Sequence, residues 1–464
     1  MFRMSGALAV ALTGACLISC PTPPDSQAHA VRLTGVNSAA SSLGGGTALI
    51  LGPSGISTPS QGYADAAYEL YLAPHGFTGT TRILTTPEGL YPFLGPFGET
   101  FDRSVEQGNQ VLEAAILEQI AGGQVDADNP VVVFGWSQSS VMSSLLMQRL
   151  ADQGVPSDYL HFVLLGDETV PNGGLLARYD LPAGTHTDIP SLGMTFVGAQ
   201  PTTLFPTDVY THEYDGFADF PQYPLNFLSV LNAVMGIALQ HSTYLGLTAE
   251  DIANAVQLPT SGPDVLTDYY MIEAGTLPLL APLQLLPFVG NPLVDLLQPV
   301  LRVLVNLGYG NIEHGWSPGF ADVPTGLGLL PDASVLQQVP QALADGVAKG
   351  INDFFARLTD PANYVYTLPE WAEQLSRFAE IIPGSQTSFL STVPTTWADL
   401  TENFPPHTGV PPLDMLSAVL FTLPQYNYDI FMSELADGNL LDAIGIPLAA
   451  DLGLLPLMLI GAVF

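Results

Sequence analysis

Val131-Val132-Val133-Phe134-Gly135-Trp136-Ser137-Gln138-Ser139 is the stretch whose reading decides the fold. Asn129-Pro130 breaks the chain before it, and the apolar run Val131 to Phe134 then reads as a strand buried on both faces. From Ser137 the pattern predicts a helix to about Gln153, with Val141, Met142, Leu145 and Leu146 facing inward and Gly154 as its C-cap. A hydrophobic strand running through Gly-x-Ser-x-small into a helix is a nucleophile elbow. Its turn is sharp and strained, so small residues must flank the serine. Ser139 stands where a second glycine is usual and is small enough to serve. The Gln138 N–H then falls at the helix start, where it can donate to an oxyanion.

Outward from this motif the same alternation recurs. Thr47 to Leu51, between Gly46 and Gly52, reads as a buried strand, followed by the loop Gly52-Pro53-Ser54-Gly55. Ser104 is expected to open a helix, with Gln107 in capping-box position and Leu112, Ile116 and Ile120 on one face. Phe162 to Leu165 is a third strand, Met194 to Val197 a candidate fourth, and Val209 to Tyr214 another. Strands alternating with helices imply an α/β fold on a mostly parallel sheet. Beyond residue 270 the character changes. Leu277 to Val305 is leucine-rich but interrupted by Pro278, Pro282, Pro287, Pro292 and Pro299, which argue against a membrane span. It reads as packed apolar cover, the sharper alternative being a lid or wall for an acyl chain. The stretch 320–464 looks helical and loop-rich and carries no legible motif; its apolar end, Leu452 to Phe464, is too short to cross a bilayer.

Composition narrows the function classes. Among 464 residues, 44 acidic side chains face only 10 basic ones, a formal net charge of −34. Such a surface repels phosphate backbones and excludes nucleic acid as a partner. Lys349 is the single lysine, so no polybasic patch for anionic membranes exists. At the start, Arg3 precedes an apolar stretch from Ala7 to Ile18, and Ala28-His29-Ala30 fits a signal-peptidase site, so export is expected. Leu17-Ile18-Ser19-Cys20 also fits a lipobox, and the soluble and lipid-anchored readings both stay open. Cys16 and Cys20 are the only cysteines, which leaves the mature chain without a disulfide, a thiolate metal site or a cysteine nucleophile.

A serine nucleophile needs a base held by a carboxylate. In the order usual for α/β hydrolases the histidine follows the serine, which sets aside His75 and leaves His161, His186, His212, His241, His314 and His407. Position alone does not choose among them. Asp215 and Asp219, in Tyr214 to Pro221, are candidate acids after a strand end, with Asp167 a weaker one. Gly315-Trp316-Ser317-Pro318-Gly319 matches Gly-x-Ser-x-Gly more literally. No strand precedes Ser317, however, and Pro318 lacks the N–H that an elbow must donate.

The ordered set Gly135-Trp136-Ser137-Gln138-Ser139, Pro171-Asn172-Gly173-Gly174, Tyr214 to Pro221, Pro224-Leu225-Asn226, His241-Ser242-Thr243-Tyr244, Leu277-Pro278-Leu279-Leu280 and Leu304 to Gly310 resembles the PE-PPE C-terminal domain family. These are cutinase-like serine hydrolases of mycobacterial-type cell envelopes, and the likeness runs from about residue 46 to 310. Members usually carry the domain behind PE or PPE segments, which are not seen here. The resemblance implies an α/β-hydrolase with Ser137 as nucleophile, His241, which opens a His-x-x-Tyr motif, as base, and Asp219 as acid, with Asp215 the alternative. Ser54 falls where such enzymes place a second oxyanion donor beside Gln138. The organisation expected is a leader at 1–30, the hydrolase at 31–310 under a Leu/Pro-rich cover, and a helical extension at 311–464. The function implied is a secreted or envelope-associated esterase or lipase acting on short to medium acyl esters, with no metal or organic cofactor. An acyltransferase moving fatty acyl groups onto envelope glycolipids with a trehalose-type acceptor, and a non-enzymatic envelope protein, are the alternatives.

Overall fold

The computed structural model describes residues 43–95, 98–365, 367–387 and 407–462, so the leader and both cysteines lie outside the described residues. The strand expected at Thr47 is β1 (Thr47–Ile50). After a short helix α1 (Gln61–Ala67), the chain returns as an edge strand β2 (Thr80–Ile83). Its sequence, Thr-Thr-Arg-Ile, is half-exposed, which is why it gives no apolar signal. The helix expected from Ser104 begins earlier, as α2 (Phe101–Ala121), with Thr100 at the N-cap position but making no side-chain cap. Ser104 therefore lies inside it, fully buried, and is not a cap.

The elbow follows as β3 (Val131–Trp136) and α3 (Gln138–Asp152), close to the expected bounds. Gly154 takes a left-handed φ of +79° just past the helix, the conformation for which the C-cap glycine was expected. Of the four inward positions, Val141, Met142 and Leu146 are buried, whereas Leu145 is partly exposed. β4 (Leu160–Leu165), β5 (Thr207–His212) and, beyond helix α4 (Phe227–Leu239), a two-residue β6 (Val256–Gln257) and β7 (Thr267–Ile272) complete the sheet. The order is β2-β1-β3-β4-β5-β7-β6, parallel except where β6 runs against β7. The candidate strand at Met194 is not part of it. Met194–Thr195 pairs antiparallel with Asp188–Ile189 in a separate ribbon.

Strand residues alternate between two cores. Leu49, Val133, Leu164 and Val209 point to one face with Leu112, Ile116 and Leu146, and Ile50, Phe134, Val163 and Tyr210 point to the other with Tyr63 and Tyr244. Every residue of β3, β4 and β5 is buried, as strands covered on both sides must be. The Leu/Pro-rich segment packs through Leu277, Leu280 and Val294 around Tyr214 and Tyr309. Its prolines allow a 3-10 stretch at Pro278–Leu285 and a helix α5 (Gly290–Asn306).

Residues past 310 add α6 (Val339–Thr359), α7 (Glu370–Ile381), α8 (Leu423–Ala436) and α9 (Leu440–Gly461). α6 lies on α5, with Gly346 and Gly350 against the Pro299 and Leu296 carbonyls where a Cβ would not fit. α9 is longer than the apolar end of the sequence suggested. At 22 residues it is long and apolar enough to cross a membrane by length and composition, and under half of its most apolar window is buried. Its buried side meets the first core through Ile446, Ala450, Leu454 and Met458.

Arg178 ties the stretch after residue 310 to the sheet. It is fully buried and donates to the Phe220 carbonyl, the Thr325 carbonyl and hydroxyl, and the Ser317 hydroxyl at 2.7–3.1 Å. Removing it strands several buried acceptors at once. Arg178→Ala is expected to destabilise the fold by about 3–5 kcal/mol, read as a lowered urea midpoint, and Arg178→Lys to recover little, because an ammonium lacks the fork.

Candidate active site

Four loops converge at the carboxyl ends of β1, β3, β4 and β5, where open α/β sheets place their sites. The turn after β3 is the tightest. Ser137 sits at φ +58°, ψ −124°, a strained conformation for a residue with a side chain. Gly135 makes the turn feasible, since a Cβ there would meet the Ser139 carbonyl at 2.8 Å. Ser139 does more than fit. Its hydroxyl accepts from the Trp136 N–H at 2.9 Å and reaches the Trp136 carbonyl at 3.1 Å, closing the turn from inside.

His241, just past α4, places Nε2 2.8 Å from Ser137 Oγ. Its Nδ1 lies 2.8 and 3.0 Å from the two carboxylate oxygens of Asp215. The expected pairing with Asp219 is therefore corrected. Asp219 Oδ2 accepts the Tyr214 N–H at 2.9 Å, and none of its hydrogen bonds reaches His241. The reason is the turn geometry. Asp215 directly follows the strand-end residues His212 to Tyr214, and its own side chain accepts the Phe217 and Ala218 N–H groups, which aims the carboxylate at the histidine. Gly216 and Gly236 let this turn touch α4, their positions lying against the Ala233 and Tyr214 carbonyls. The tyrosine of His-x-x-Tyr completes the site: Tyr244 Oη donates to Asp215 Oδ2 at 2.7 Å and accepts the His212 N–H. The sequence signal that could have singled out Asp215 is its place just past the strand end, directly before Gly216.

The electrostatics follow from burial. Ser137 and His241 are only 5% and 7% exposed. Burial raises the Asp215 pKa, but the His241 charge and the hydrogen bonds outweigh it and hold the carboxyl below its ordinary value. Burial lowers the His241 pKa, but the charge and hydrogen bond of Asp215, with help from Glu168, raise it above 6.5. Asp219 is pushed well upward by burial, only partly offset by the Tyr214 N–H and Arg178.

Gln138 opens α3, so its N–H has no acceptor within the helix. Its side chain is held by the Ser104 hydroxyl at 2.7 Å and the Gly89 carbonyl, and it lies 3.3 Å from Ser54 Oγ. The loop after β1 thus sits beside the first turn of α3. Ser317 has another occupation, its hydroxyl bound to Arg178. Asp167 is also engaged elsewhere, by the Thr169 N–H and hydroxyl and by Ser144. Among the other histidines, His161 pairs with Asp208, His314 stacks on Trp316, and His407 pairs with Asp414. Burial lowers the His212 pKa to about 4. Sequence reasoning missed Glu168. Its Oε1 lies 3.5 Å from Ser137 Oγ, and burial lifts its pKa to about 7. No group of three or more His, Cys, Asp or Glu side chains suited to a metal occurs among the described residues.

The chain is similar in sequence to several known proteins. Residues 78–310 match the PE-PPE domain. The chain is 38% identical to the uncharacterized PPE family protein PPE28 of Mycobacterium tuberculosis over 96% of its own length and 69% of that protein's. It is 44% identical to Esterase PE16 of the same organism over 66% of its length, covering 55% of the esterase. The Diacyltrehalose acyltransferase Chp2, again from Mycobacterium tuberculosis, is 31% identical over 46% of this chain and 57% of that protein.

A fluorophosphonate probe is expected to label Ser137 alone, with Ser317→Ala labelled normally. Asp215→Asn should slow labelling by on the order of 10⁴, the loss typical when the histidine's orienting carboxylate is removed, and Asp219→Asn by less than tenfold.

Proposed function

The chain belongs to the PE-PPE domain family, and from that premise we propose that it hydrolyses carboxylic esters through Ser137, His241 and Asp215. The observation that carries the reading is the continuous line of contacts from Asp215 through His241 to Ser137 Oγ, each 2.8 Å at its shortest. His241 Nε2 takes the hydroxyl proton while Oγ bonds to the acyl carbon. The imidazolium formed is stabilised by the Asp215 carboxylate. The Gln138 N–H, with the Ser54 loop beside it, is placed to hold the oxyanion. His241 then returns its proton to the departing alcohol oxygen, leaving an acyl-enzyme, and water, deprotonated by the same imidazole, releases the acid. The similarity to Esterase PE16 supports ester hydrolysis; short to medium acyl chains are the expected substrates. The exported, envelope-side location implied by residues 1–30 belongs to the same proposal.

Acyl transfer is the second reading. The similarity to Chp2 favours it. Product analysis with trehalose as acceptor separates the two outcomes.

The first test is a p-nitrophenyl ester chain-length series. Ser137→Ala should lower kcat by on the order of 10⁴–10⁶, and an unchanged rate would falsify the assignment. The pH profile gives a second. The base works neutral, and its pKa is raised, so kcat/KM should fall as pH drops through a value above 6.5. In Asp215→Asn the main raising influence is gone, Glu168 alone still raises the histidine, and burial remains. The residual activity should therefore keep its acid limb at lower pH than the wild type.

A further inference from the structure

The loop after β4 brings a second carboxyl to the nucleophile. Gly166, at φ +55°, lets the backbone turn beside His241, where a Cβ would meet the imidazole at 3.0 Å. Asp167 anchors the turn through Thr169 and Ser144, and the Glu168 backbone carbonyl accepts the Leu176 N–H at 3.0 Å. The anchored loop then aims the Glu168 side chain at Ser137, 3.5 Å from Oγ. The residue is 7% exposed. The hydrolytic steps above make no use of it.

An ester has two halves, and they differ in what they can offer a buried carboxyl. An alkyl chain gives no hydrogen bond, so packing it there leaves the oxygens desolvated and unpaired. An anionic alcohol, such as a phosphodiester headgroup, adds like-charge repulsion. A neutral alcohol with further hydroxyls supplies donors. The apolar element of the site is elsewhere: Phe217 packs edge-on against the His241 ring, with centroids 4.9 Å apart. Resting on the esterase reading, we propose that Glu168 is a specificity-determining residue that accepts a hydrogen bond from a free hydroxyl on the alcohol half of the substrate, which selects acyl esters of neutral polyols.

Glu168 titrates in the working range. Burial is the main cause; the His241 charge pulls its pKa down, Asp167 and Asp215 push it up, and the outcome is about 7. An ionised carboxylate accepts a stronger hydrogen bond than a neutral one. Preference for a polyol ester should therefore grow as pH rises through 7. The titration of His241 affects both esters alike and cancels from a ratio of rates.

The test compares 1-monobutyrylglycerol with propyl butyrate, which share the acyl group and the three-carbon alcohol and differ in two hydroxyls. Their kcat/KM ratio is measured from pH 6 to 8 in the wild type, Glu168→Gln and Glu168→Ala. The expected result is a wild-type ratio that rises with pH, and variant ratios lower by roughly 10- to 100-fold, as for loss of a charged hydrogen bond, and flat with pH. Equal ratios in all three proteins overturn the role of Glu168 and leave the esterase reading standing. A wild type inert towards both esters overturns both. Should Glu168→Ala fail to fold, the near-isosteric Glu168→Gln and the wild-type pH trend decide the matter.

Discussion

The Asp215 carboxylate is completely buried, and it stays ionised because the Phe217 and Ala218 amides, the Tyr244 hydroxyl and His241 all converge on it. A buried charge without such partners costs several kcal/mol, so the turn, the tyrosine and the histidine have to arrive together. That requirement explains features that otherwise look unrelated. Gly216 against the Ala233 carbonyl and Gly236 against the Tyr214 carbonyl bring α4 onto the strand-end turn, which sets where His241 emerges. The three-residue step from His241 to Tyr244 puts both side chains on one carboxylate. Tyr244 then accepts the His212 N–H, tying the assembly back to β5.

The parts legible in the sequence are those governed by local pattern. Val131 to Phe134 is an apolar run between breakers, and an all-buried strand leaves no other reading; the glycine and small residues around Ser137 announced the strained turn. Thr80–Ile83 and Thr267–Ile272 passed unnoticed because β2 is half-exposed at the sheet edge and β7 carries Asp268 and two tyrosines. Both are strands because a neighbour supplies their hydrogen bonds, a fact of tertiary structure. Met194 to Val197 is a different case: Met194–Thr195 is a strand, but its partner is Asp188–Ile189 in a separate ribbon and not the central sheet.

The acid was harder, for a physical reason. Asp215 and Asp219 lie four residues apart in one turn, and both are buried. What separates them is which backbone amides each accepts. Asp215 captures the amides ahead of it and meets His241 just past α4, while Asp219 captures the Tyr214 amide behind it. No periodicity encodes that distinction. Glu168 was invisible for a similar reason, since a single carboxylate after a strand reads as a turn residue until the loop that aims it is built.

The helices past residue 310 change how the site should be regarded. Trp136, the residue before Ser137, donates from Nε1 to the His241 carbonyl at 3.2 Å. The same indole stacks on Tyr63 and is contacted edge-on by Tyr244 and by Phe378 of α7. α7 also meets the segment just beyond the histidine, with Gly246 against the Gln374 carbonyl and the Arg377 guanidinium on the Gly246 carbonyl. Thus the backbone carrying His241 is braced on one side by a residue adjacent to Ser137, and on the other by a helix more than 120 residues along the chain. On the proposed reading of His241 as base, both supports matter, because small displacements at a nucleophile are expensive in rate. Phe378 and Gln374 lie beyond the stretch that matches the PE-PPE domain, yet they pack against the end of it that carries Trp136 and Gly246. The later helices therefore contribute to the positioning of His241, a role their sequence, read without the fold, had no way to display.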